Sequence, residues 1–416
     1  MNTAGQATTA GLAARKDSHR WKILGIGVLA NASFSAAFAG IPVTAIFMRA
    51  DYRLDNTQLG LALGSLGLGV AVSELPWGVL TDRWGDRKVL LCGLITTALA
   101  LAAMALFAAP DVDGIPPMWQ LALGLLTVGL LGGSVNGSSG RAVMGWFREG
   151  ERGLAMSIRQ TAVPVGGGVG AVVLPALASE HGFAAVYGLL ALFCLLSAAM
   201  AWLWLHEPPA VAGEMQAPVQ TRSALRDIKV WRVAMAIGIL CFPQVSVLTF
   251  ATIFLHDVGH VGLTLISTTM AAIQIGAAVM RVWSGRWTDR HGNRRSYLRT
   301  CSALSVLLFV GLGVLAALAP HDWPQWILAL VVLMLIAGGI CASAWHGVAY
   351  TELATLAGAH QVGTALGLGN TCVFLVFFLT AQAIPVLLAW QSWAAVWLAG
   401  AVGALIAWPI FLKPAR

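Results

Sequence analysis

The chain alternates between long apolar stretches and short polar segments along its whole length. A helix needs about 20 mostly apolar residues to cross the hydrocarbon core of a bilayer. Stretches of that length predict an all-α membrane protein whose twelve transmembrane helices lie near residues 23–48, 57–80, 89–109, 118–146, 153–178, 183–205, 231–255, 263–287, 297–319, 325–350, 361–388 and 393–412.

One long polar segment divides these helices into six and six. Residues 206–229 contain a Pro-Pro pair and several charges, so we predict a cytoplasmic linker there, between a six-helix bundle at 23–205 and another at 230–416. Residues 1–22 lack the pattern of a cleavable signal peptide, because the apolar stretch that follows is long enough to be retained. We predict a disordered cytoplasmic tail for them.

Two polar loops repeat each other 207 positions apart. Residues 78–88 read GVLTDRWGDRK, and residues 285–295 read GRWTDRHGNRR. Internal repeats of half the chain length are typical of transporters built from two parallel repeats. The pattern resembles the major facilitator superfamily, whose loop between helices 2 and 3 carries G-x-x-x-D-R-x-G-R-[RK]. The resemblance implies two pseudo-symmetric six-helix bundles.

In that family the loop latches the cytoplasmic side while the transporter faces outward. Ion pairs that form in one state and break in the other supply the differential contacts that a switch needs. The alternative is that these charges only fix the topology. The resemblance assigns the gate to Gly78, Asp82, Arg83, Gly85, Arg87, Lys88, Glu151, Arg152, Gly285, Asp289, Arg290, Gly292, Arg294 and Arg295.

The composition agrees with a membrane protein, since 58% of the residues are hydrophobic and 10% charged, whereas soluble domains carry about 25% charged residues. The net charge of +7 is scattered in short clusters between apolar stretches, which argues against nucleic-acid binding. Most Lys and Arg fall on one side of the membrane if the N-terminus is cytoplasmic. We therefore predict a multi-pass protein of the cell inner membrane with both termini in the cytoplasm.

Three arginines lie within the predicted helices: Arg141, Arg159 and Arg281. A charge at mid-membrane costs at least ~2.5–3.5 kcal/mol and usually faces a cavity or a partner. Guanidinium groups favour carboxylate and phosphate, so the functional interpretation is an anionic substrate. The alternative is that these side chains, within roughly two turns of the cytoplasm, reach the interface.

Glu74 occupies the position equivalent to Arg281, because 74 plus 207 is 281. A carboxyl group in an apolar environment binds a proton more readily, so Glu74 is a candidate proton carrier. A static ion pair is the alternative. His346 titrates near neutrality and is a second candidate. Glu352 is a third, although an interfacial position would also explain it.

Polar residues on the predicted helices are further candidates for the substrate site. In the family that the chain resembles, helices 1, 4, 7 and 10 surround the cavity, and serines in such helices mostly serve close packing. The remaining candidates are Asn31, Asn136, Gln160, Gln244, Gln274, His346 and Asn370.

The function predicted from these residues is secondary active transport of a small organic or inorganic anion, such as a carboxylate, by alternating access, coupled to protons or to a counter-substrate. The segment from Trp146 to Thr161 is similar to the cyanate and organic-anion branch of the family. A proton-coupled efflux antiporter for drugs or metabolites is the alternative. The fifth predicted helix only loosely resembles the antiporter motif G-x-x-x-G-P-x-x-G-G of that family, because its Gly-Pro step is absent. We expect a monomer without metal or cofactor. No nucleotide-binding loop or catalytic cluster suggests an enzyme.

Overall fold

The computed structural model describes residues 3–111, 114–206, 223–318, 323–390 and 392–411. The side chains of residues 3–17, 263 and 390 lie outside the description. The described residues are helical apart from short loops.

The described residues of the first half form eight α-helices: α1 (Thr3–Val43), α2 (Ala45–Asp51), α3 (Asn56–Trp84), α4 (Asp86–Phe107), α5 (Met118–Gly132), α6 (Ser134–Trp146), α7 (Arg152–Gln160) and α8 (Ala162–Trp204). Those of the second half form seven: α9 (Ile228–Asp257), α10 (Leu263–His291), α11 (Arg294–Leu318), α12 (Gln325–Ala344), α13 (His346–Ala357), α14 (Val362–Trp390) and α15 (Trp393–Ala407). Three-residue and four-residue 3₁₀ turns lie at Ala224–Arg226, Ala359–Gln361 and Trp408–Phe411.

These helices make twelve membrane crossings. Eleven helical segments among the described residues are long and apolar enough to cross a membrane. One of them, Arg152–Trp204, has 53 residues and would be about 80 Å long if straight, far more than a bilayer core needs. It is interrupted at Gly182, whose φ of 73° is not helical, so it crosses twice. The predicted all-α fold with twelve spans is confirmed.

Four of the described crossings are broken where the sequence analysis predicts continuous helices. The breaks separate α1 from α2 at Thr44, α5 from α6 at Gly133, α7 from α8 at Thr161, and α12 from α13 at Trp345. The second and fourth of these breaks lie in the fourth and tenth crossings, which are equivalent in the two repeats.

Local sequence signals set the ends of the long helices. Asp55 and Gln58 form a capping box at the start of α3. Helix α3 ends at Gly85 with φ 89°, and α10 ends at Gly292 with φ 61°. Glycine tolerates these left-handed angles, which explains why both repeated loops carry it at this position.

The predicted domain limits stay predictions. Most of the proposed linker, residues 207–222, lies outside the described residues. Helix α1 begins at Thr3, so the described backbone of the predicted tail at 1–22 is helical.

The two repeated loops lie at one end of the helical bundle, which we call the Asp-Arg end. It is the end that the charge distribution predicts to be cytoplasmic. Each half has its own apolar cores, and Met144 and Met156 of the first half pack into a core of the second. The halves are therefore in close contact near this end.

Candidate functional site

The two halves meet along two seams that are related by the sequence repeat. Seam A joins α3 to α14, and seam B joins α10 to α7. Each residue of α3 in seam A corresponds to the residue of α10 in seam B that is numbered 207 higher. Each partner on α14 corresponds to the partner on α7 that is numbered 210 lower. Seam A consists of Glu74, Gly78 and Asp82 against Gly363, Gly367 and Asn370, and seam B of Arg281, Gly285 and Asp289 against Gly153, Ser157 and Gln160.

At the Asp-Arg end, each seam is closed by an aspartate that caps a helix of the other half. Asp82 accepts hydrogen bonds from the backbone N–H groups of Gly363 and Thr364, at 2.8 and 2.6 Å. Asp289 accepts from those of Gly153 and Leu154, at 3.0 and 2.8 Å. The N-terminus of a helix has unpaired N–H groups and a partial positive charge, so a carboxylate there stabilises the contact.

One turn further into the membrane, glycines allow the backbones of the two halves to touch. A Cβ atom on Gly78 would overlap the carbonyl oxygen of Gly363, and one on Gly285 would overlap that of Gly153. The repeated glycines are thus part of the contact between the halves.

The other predicted gate residues divide into three groups. Arg294 crosses between the halves and pairs with Glu149 at 2.6 Å. Charges paired within their own half include Arg20 with Glu151 and Arg295 with Glu352, both at 2.6 Å, and Arg152 with Glu149 at 3.3 Å; Arg87 donates to the Trp202 carbonyl. Arg83, Lys88 and Arg290 are exposed.

Arg141 lies at the Asp-Arg end and not beside the other two membrane arginines. Its Nε is 3.3 Å from Asp82 Oδ1, and its Nη1 is 3.6 Å from Asp86 Oδ1. It thus pairs with the aspartate of seam A, and its substrate-binding role stays a prediction. Glu352 is likewise paired with Arg295 there, away from the membrane centre.

Glu74 and Arg281 lie deeper, ten residues before the helix ends at Trp84 and His291. At 1.5 Å per residue this is about 15 Å from the ends. Glu74 is 0% exposed and Arg281 3% exposed. The Arg281 side chain therefore does not reach the interface, which was the alternative interpretation.

The Glu74 carboxylate accepts hydrogen bonds from both halves of the protein. Asn136 Nδ2 of the first half donates to Oε1 at 2.5 Å, and Asn370 Nδ2 of the second half donates to Oε2 at 3.2 Å. Tyr350 donates its hydroxyl to Asn370 Oδ1 at 2.5 Å, which fixes the orientation of that amide. Glu74 thus links the halves at mid-membrane in seam A.

Arg281 makes the equivalent link in seam B with the opposite charge. Its Nη1 donates to the Gln160 carbonyl oxygen of the first half at 2.9 Å, and its Nε donates to the Ser343 carbonyl oxygen at 2.8 Å. His346 Nδ1 lies 3.1 Å from the same Ser343 oxygen and 3.5 Å from Arg281 Nη2. We assign the tautomer with a proton on Nδ1, which donates to the Ser343 oxygen and therefore does not accept from Nη2.

Arg159 is 2% exposed and is held within the first half. Its Nε and Nη2 donate to Ser139 Oγ at 3.0 and 2.7 Å, and Nη2 also donates to the Asn136 carbonyl oxygen at 2.8 Å. Asn136 therefore contacts both Arg159 and Glu74, through its backbone and its side chain. No ion pair joins Arg159 or Arg281 to a carboxylate within the described part of the chain.

The two guanidinium groups occupy repeat-equivalent places although they come from different helices. Asn136 and Ser343 differ by 207 in number, as do Ser139 and His346. Arg159, from α7, contacts the first member of each pair, and Arg281, from α10, contacts the second. The fourth and tenth crossings thus supply equivalent binding partners for the two guanidinium groups.

Each guanidinium keeps one amino group that lacks an oxygen acceptor among the described residues. Arg159 Nη1 contacts only Met156 Sδ, at 4.0 Å, and Arg281 Nη2 faces the N–H of His346. Glu74 is the only carboxyl group that contacts this group of described side chains, so two guanidinium groups share the site with one carboxyl group. Such a site can bind an added anion.

The remaining sequence candidates lie at varied distances from this group. Gln160 is buried and contributes its carbonyl oxygen to Arg281. Gln244 is buried in α9, and Gln274 is partly buried in α10. Asn31 is 0% exposed, and neither atom of its amide group has a hydrogen-bond partner in the structure.

Tyr350 and the glycines of α14 were missed in the sequence analysis, because they are ordinary components of apolar helices and no local pattern distinguishes them. Ser139 and Ser343 are among the serines that the sequence analysis assigned mostly to close packing. The repeat could have pointed to Ser343, because it lies 207 positions after the candidate Asn136.

Comparisons with known proteins agree with this architecture. The family model described as Major Facilitator Superfamily matches residues 23–381. An uncharacterized MFS-type transporter of Mycobacterium tuberculosis is 32% identical over 77% of this chain and 69% of its own length. A hexuronate transporter of Bacillus subtilis is 22% identical over 41% of this chain and 39% of its own.

Among solved structures, the proton:xylose symporter XylE has the same fold, with a TM-score of 0.75 at 16% identity, covering 94% of this chain and 95% of that one. The resemblance to the cyanate and organic-anion branch stays a prediction. The family match, the repeated loops and the twelve crossings lead to one assignment: this chain belongs to the major facilitator superfamily of membrane transporters.

Proposed function

We propose that this protein is a secondary active transporter that moves a small organic anion across the cell inner membrane by alternating access, in symport with protons. Both termini and the Asp-Arg end lie in the cytoplasm in this proposal, because that end carries the excess of Lys and Arg. The similarity to a protein named as a hexuronate transporter supports a carboxylate as cargo.

The observation that carries the proposal is the pair of incompletely bonded guanidinium groups at mid-membrane. Arg159 Nη1 and Arg281 Nη2 lack oxygen acceptors among the described residues, and both side chains are buried. A buried cation without an anionic partner is costly. A carboxylate bound between these groups would accept charge-assisted hydrogen bonds and reduce that cost.

Alternating access would use the two seams as the closing surface at the cytoplasmic end. The capping aspartates and glycine contacts are all made between the halves, so cargo release to the cytoplasm requires that they separate. The structure would then represent a conformation in which the cytoplasmic end is closed.

Glu74 would couple this separation to protons. Its two oxygens accept from two amide groups, and Tyr350 prevents the Asn370 amide from turning to offer its oxygen instead. A protonated Glu74 would carry an O–H group on one of its oxygens. That O–H donor would face the NH₂ donor of Asn370 or of Asn136, and the hydrogen bond there would be lost. Protonation therefore weakens the link in seam A and favours opening to the cytoplasm, which is the direction expected for symport.

Uptake into proteoliposomes tests the proposal. The panel contains lactate, malate, D-glucuronate, glycerol 3-phosphate and a lipophilic cation, each measured with and without an inward proton gradient. We expect at least one anion to accumulate faster with the gradient. The variant Arg159→Gln should lose this uptake while inserting normally, and Arg226→Gln, which removes an exposed arginine, should keep it.

The alternative outcome is movement of the lipophilic cation with no anion transported, which would overturn the cargo assignment in favour of drug efflux. Uptake of an anion that is unaffected by Arg159→Gln would remove that arginine from the site.

A further inference from the structure

Asn31 is a buried polar side chain on α1, one turn after Gly27, which lies beside Arg159. It is 0% exposed on α1, and both Nδ2 and Oδ1 lack a hydrogen-bond partner in the structure. A buried amide without partners costs free energy, so a polar group that binds beside it is stabilised.

The packing of α1 shows which way Asn31 points. Ala32, Ala36 and Gly40 face the glycines of α8. Ser33 donates to the Phe193 carbonyl oxygen at 3.1 Å and faces the second part of α8. Asn31 lies on a different face, in line with Gly27 and Phe34, which are four residues before it and three after it.

Of these neighbours on α1, Gly27 lies beside Arg159 and Phe34 meets the second half. A Cβ atom on Gly27 would lie 3.9 Å from Arg159 Cδ and 3.7 Å from the Ser139 carbonyl oxygen. The Phe34 ring lies 6.1 Å from that of Phe374 on α14, between ring centroids. Asn31 therefore lies between the arginine and the aromatic contact.

The register of α14 places Asn31 at the depth of the charged group. Asn370, which binds Glu74, is one turn before Phe374 along α14. Asn31 is about one turn before Phe34 along α1, and both helices run away from the Asp-Arg end. The two asparagines are thus at similar depth, on either side of the arginine site.

We propose that Asn31 determines specificity by binding a hydroxyl group of the cargo, so that the transported anions are hydroxycarboxylates. An amide offers one donor and one acceptor, and a hydroxyl group can satisfy both. The carboxylate is held by Arg159 and Arg281, and the hydroxyl on a neighbouring carbon reaches Asn31. This inference rests on the proposed anion transport.

Matched pairs of ligands test separately whether the protein binds a carboxylate and whether Asn31 recognises a hydroxyl group on it. Affinities of the purified full-length protein are measured by thermal stabilisation with lactate against propionate and malate against succinate, which differ by one hydroxyl. In at least one pair, the wild-type protein should bind the hydroxy acid at least about tenfold more tightly than the acid without the hydroxyl. The acid without the hydroxyl binds more weakly because it leaves the buried Asn31 amide unpaired.

The variant Asn31→Ala should reduce that ratio to about twofold or less, because nothing then distinguishes the hydroxyl. Asn31→Ser serves the same comparison if the alanine variant does not fold. Asn56→Ala, at the exposed start of α3, is the matched control and should keep the wild-type ratio.

Each outcome has a distinct meaning. Equal binding within both pairs by the wild-type protein, or a ratio unchanged in Asn31→Ala, overturns the role of Asn31 while the anion proposal stands. Binding of none of the four acids overturns this inference, whereas the proposed function fails only if the proteoliposome panel also shows no transported anion.

Discussion

Seam A and seam B have the same construction at the Asp-Arg end and opposite chemistry at mid-membrane. In both, an aspartate caps a helix of the other half and a glycine lets the backbones touch. One turn deeper, seam A places the Glu74 carboxylate between two amides, whereas seam B places the Arg281 guanidinium on a backbone oxygen. The shared aspartate caps and glycine contacts fit the proposed closing of the cytoplasmic end. The different residues, Glu74 and Arg281, fit the proposed separate roles in proton binding and cargo binding.

The largest effect is expected from removing the charge of seam B. Arg281→Gln removes a buried group whose charge-assisted hydrogen bonds contribute about 1.5–3 kcal/mol each. We predict that initial uptake of the transported anion falls about 100-fold or more, while the amount of inserted protein is unchanged. Initial rates in proteoliposomes measure this. Normal uptake by Arg281→Gln would show that seam B does not bind the cargo.

A large effect is also expected where the backbones touch. Gly78→Ala places a methyl group too close to the Gly363 carbonyl oxygen, so α3 and α14 must move apart in seam A. We predict at least about a tenfold loss of transport, measured as initial uptake, and a similar loss for Gly285→Ala. Gly64→Ala is the control on the same helix, because nothing lies within 4 Å of its Cβ. Equal activity of the 78 and 64 variants would contradict the close contact.

Glu74→Gln should change coupling more than transport itself. The glutamine oxygen can still accept from one amide of seam A, but the side chain no longer binds a proton. We predict that acceleration by an inward proton gradient disappears, while exchange of labelled for unlabelled anion stays within about fivefold of wild type. Comparing net uptake with exchange at equal protein content measures the difference. A wild-type response to the gradient would assign the coupling to another residue.

The smallest effects are expected from the capping aspartates. Asp82→Asn and Asp289→Asn keep the shape of the cap but lose its charge, which is worth roughly 0.3–1 kcal/mol at a helix N-terminus. Each should therefore shift the population toward opening at the Asp-Arg end by about two- to fivefold. The labelling rate of a cysteine placed in the seam measures this shift. Strongly unequal shifts in the two variants would contradict the equivalence of the seams.

The repeat in the sequence predicts more of the fold than of the site. It correctly relates Asp82 to Asp289 and Glu74 to Arg281, because equivalent helices keep the same register. It does not reveal which helix each of these residues meets, since the partners α7 and α14 carry only small or ordinary residues at the contacts.

The three arginines illustrate the limit of sequence reasoning. All lie within apolar stretches at similar distances from predicted helix ends, yet Arg141 pairs with Asp82 while Arg159 and Arg281 are buried without carboxylate partners. The burial of Arg159 and Arg281 could not be predicted, because only the three-dimensional packing decides the direction of a long side chain. An unpaired amide such as that of Asn31 likewise cannot be recognised before its neighbours are known.

Equilibrium binding tests the central claim, that the buried guanidinium groups hold the cargo, most directly. The anion that the wild-type protein transports is titrated into purified wild-type protein and into the Arg159→Gln, Arg281→Gln and Glu74→Gln variants. We predict that both arginine variants bind it at least about tenfold more weakly, whereas the Glu74 variant binds it within about threefold of wild type. Wild-type affinity in both arginine variants would contradict the account.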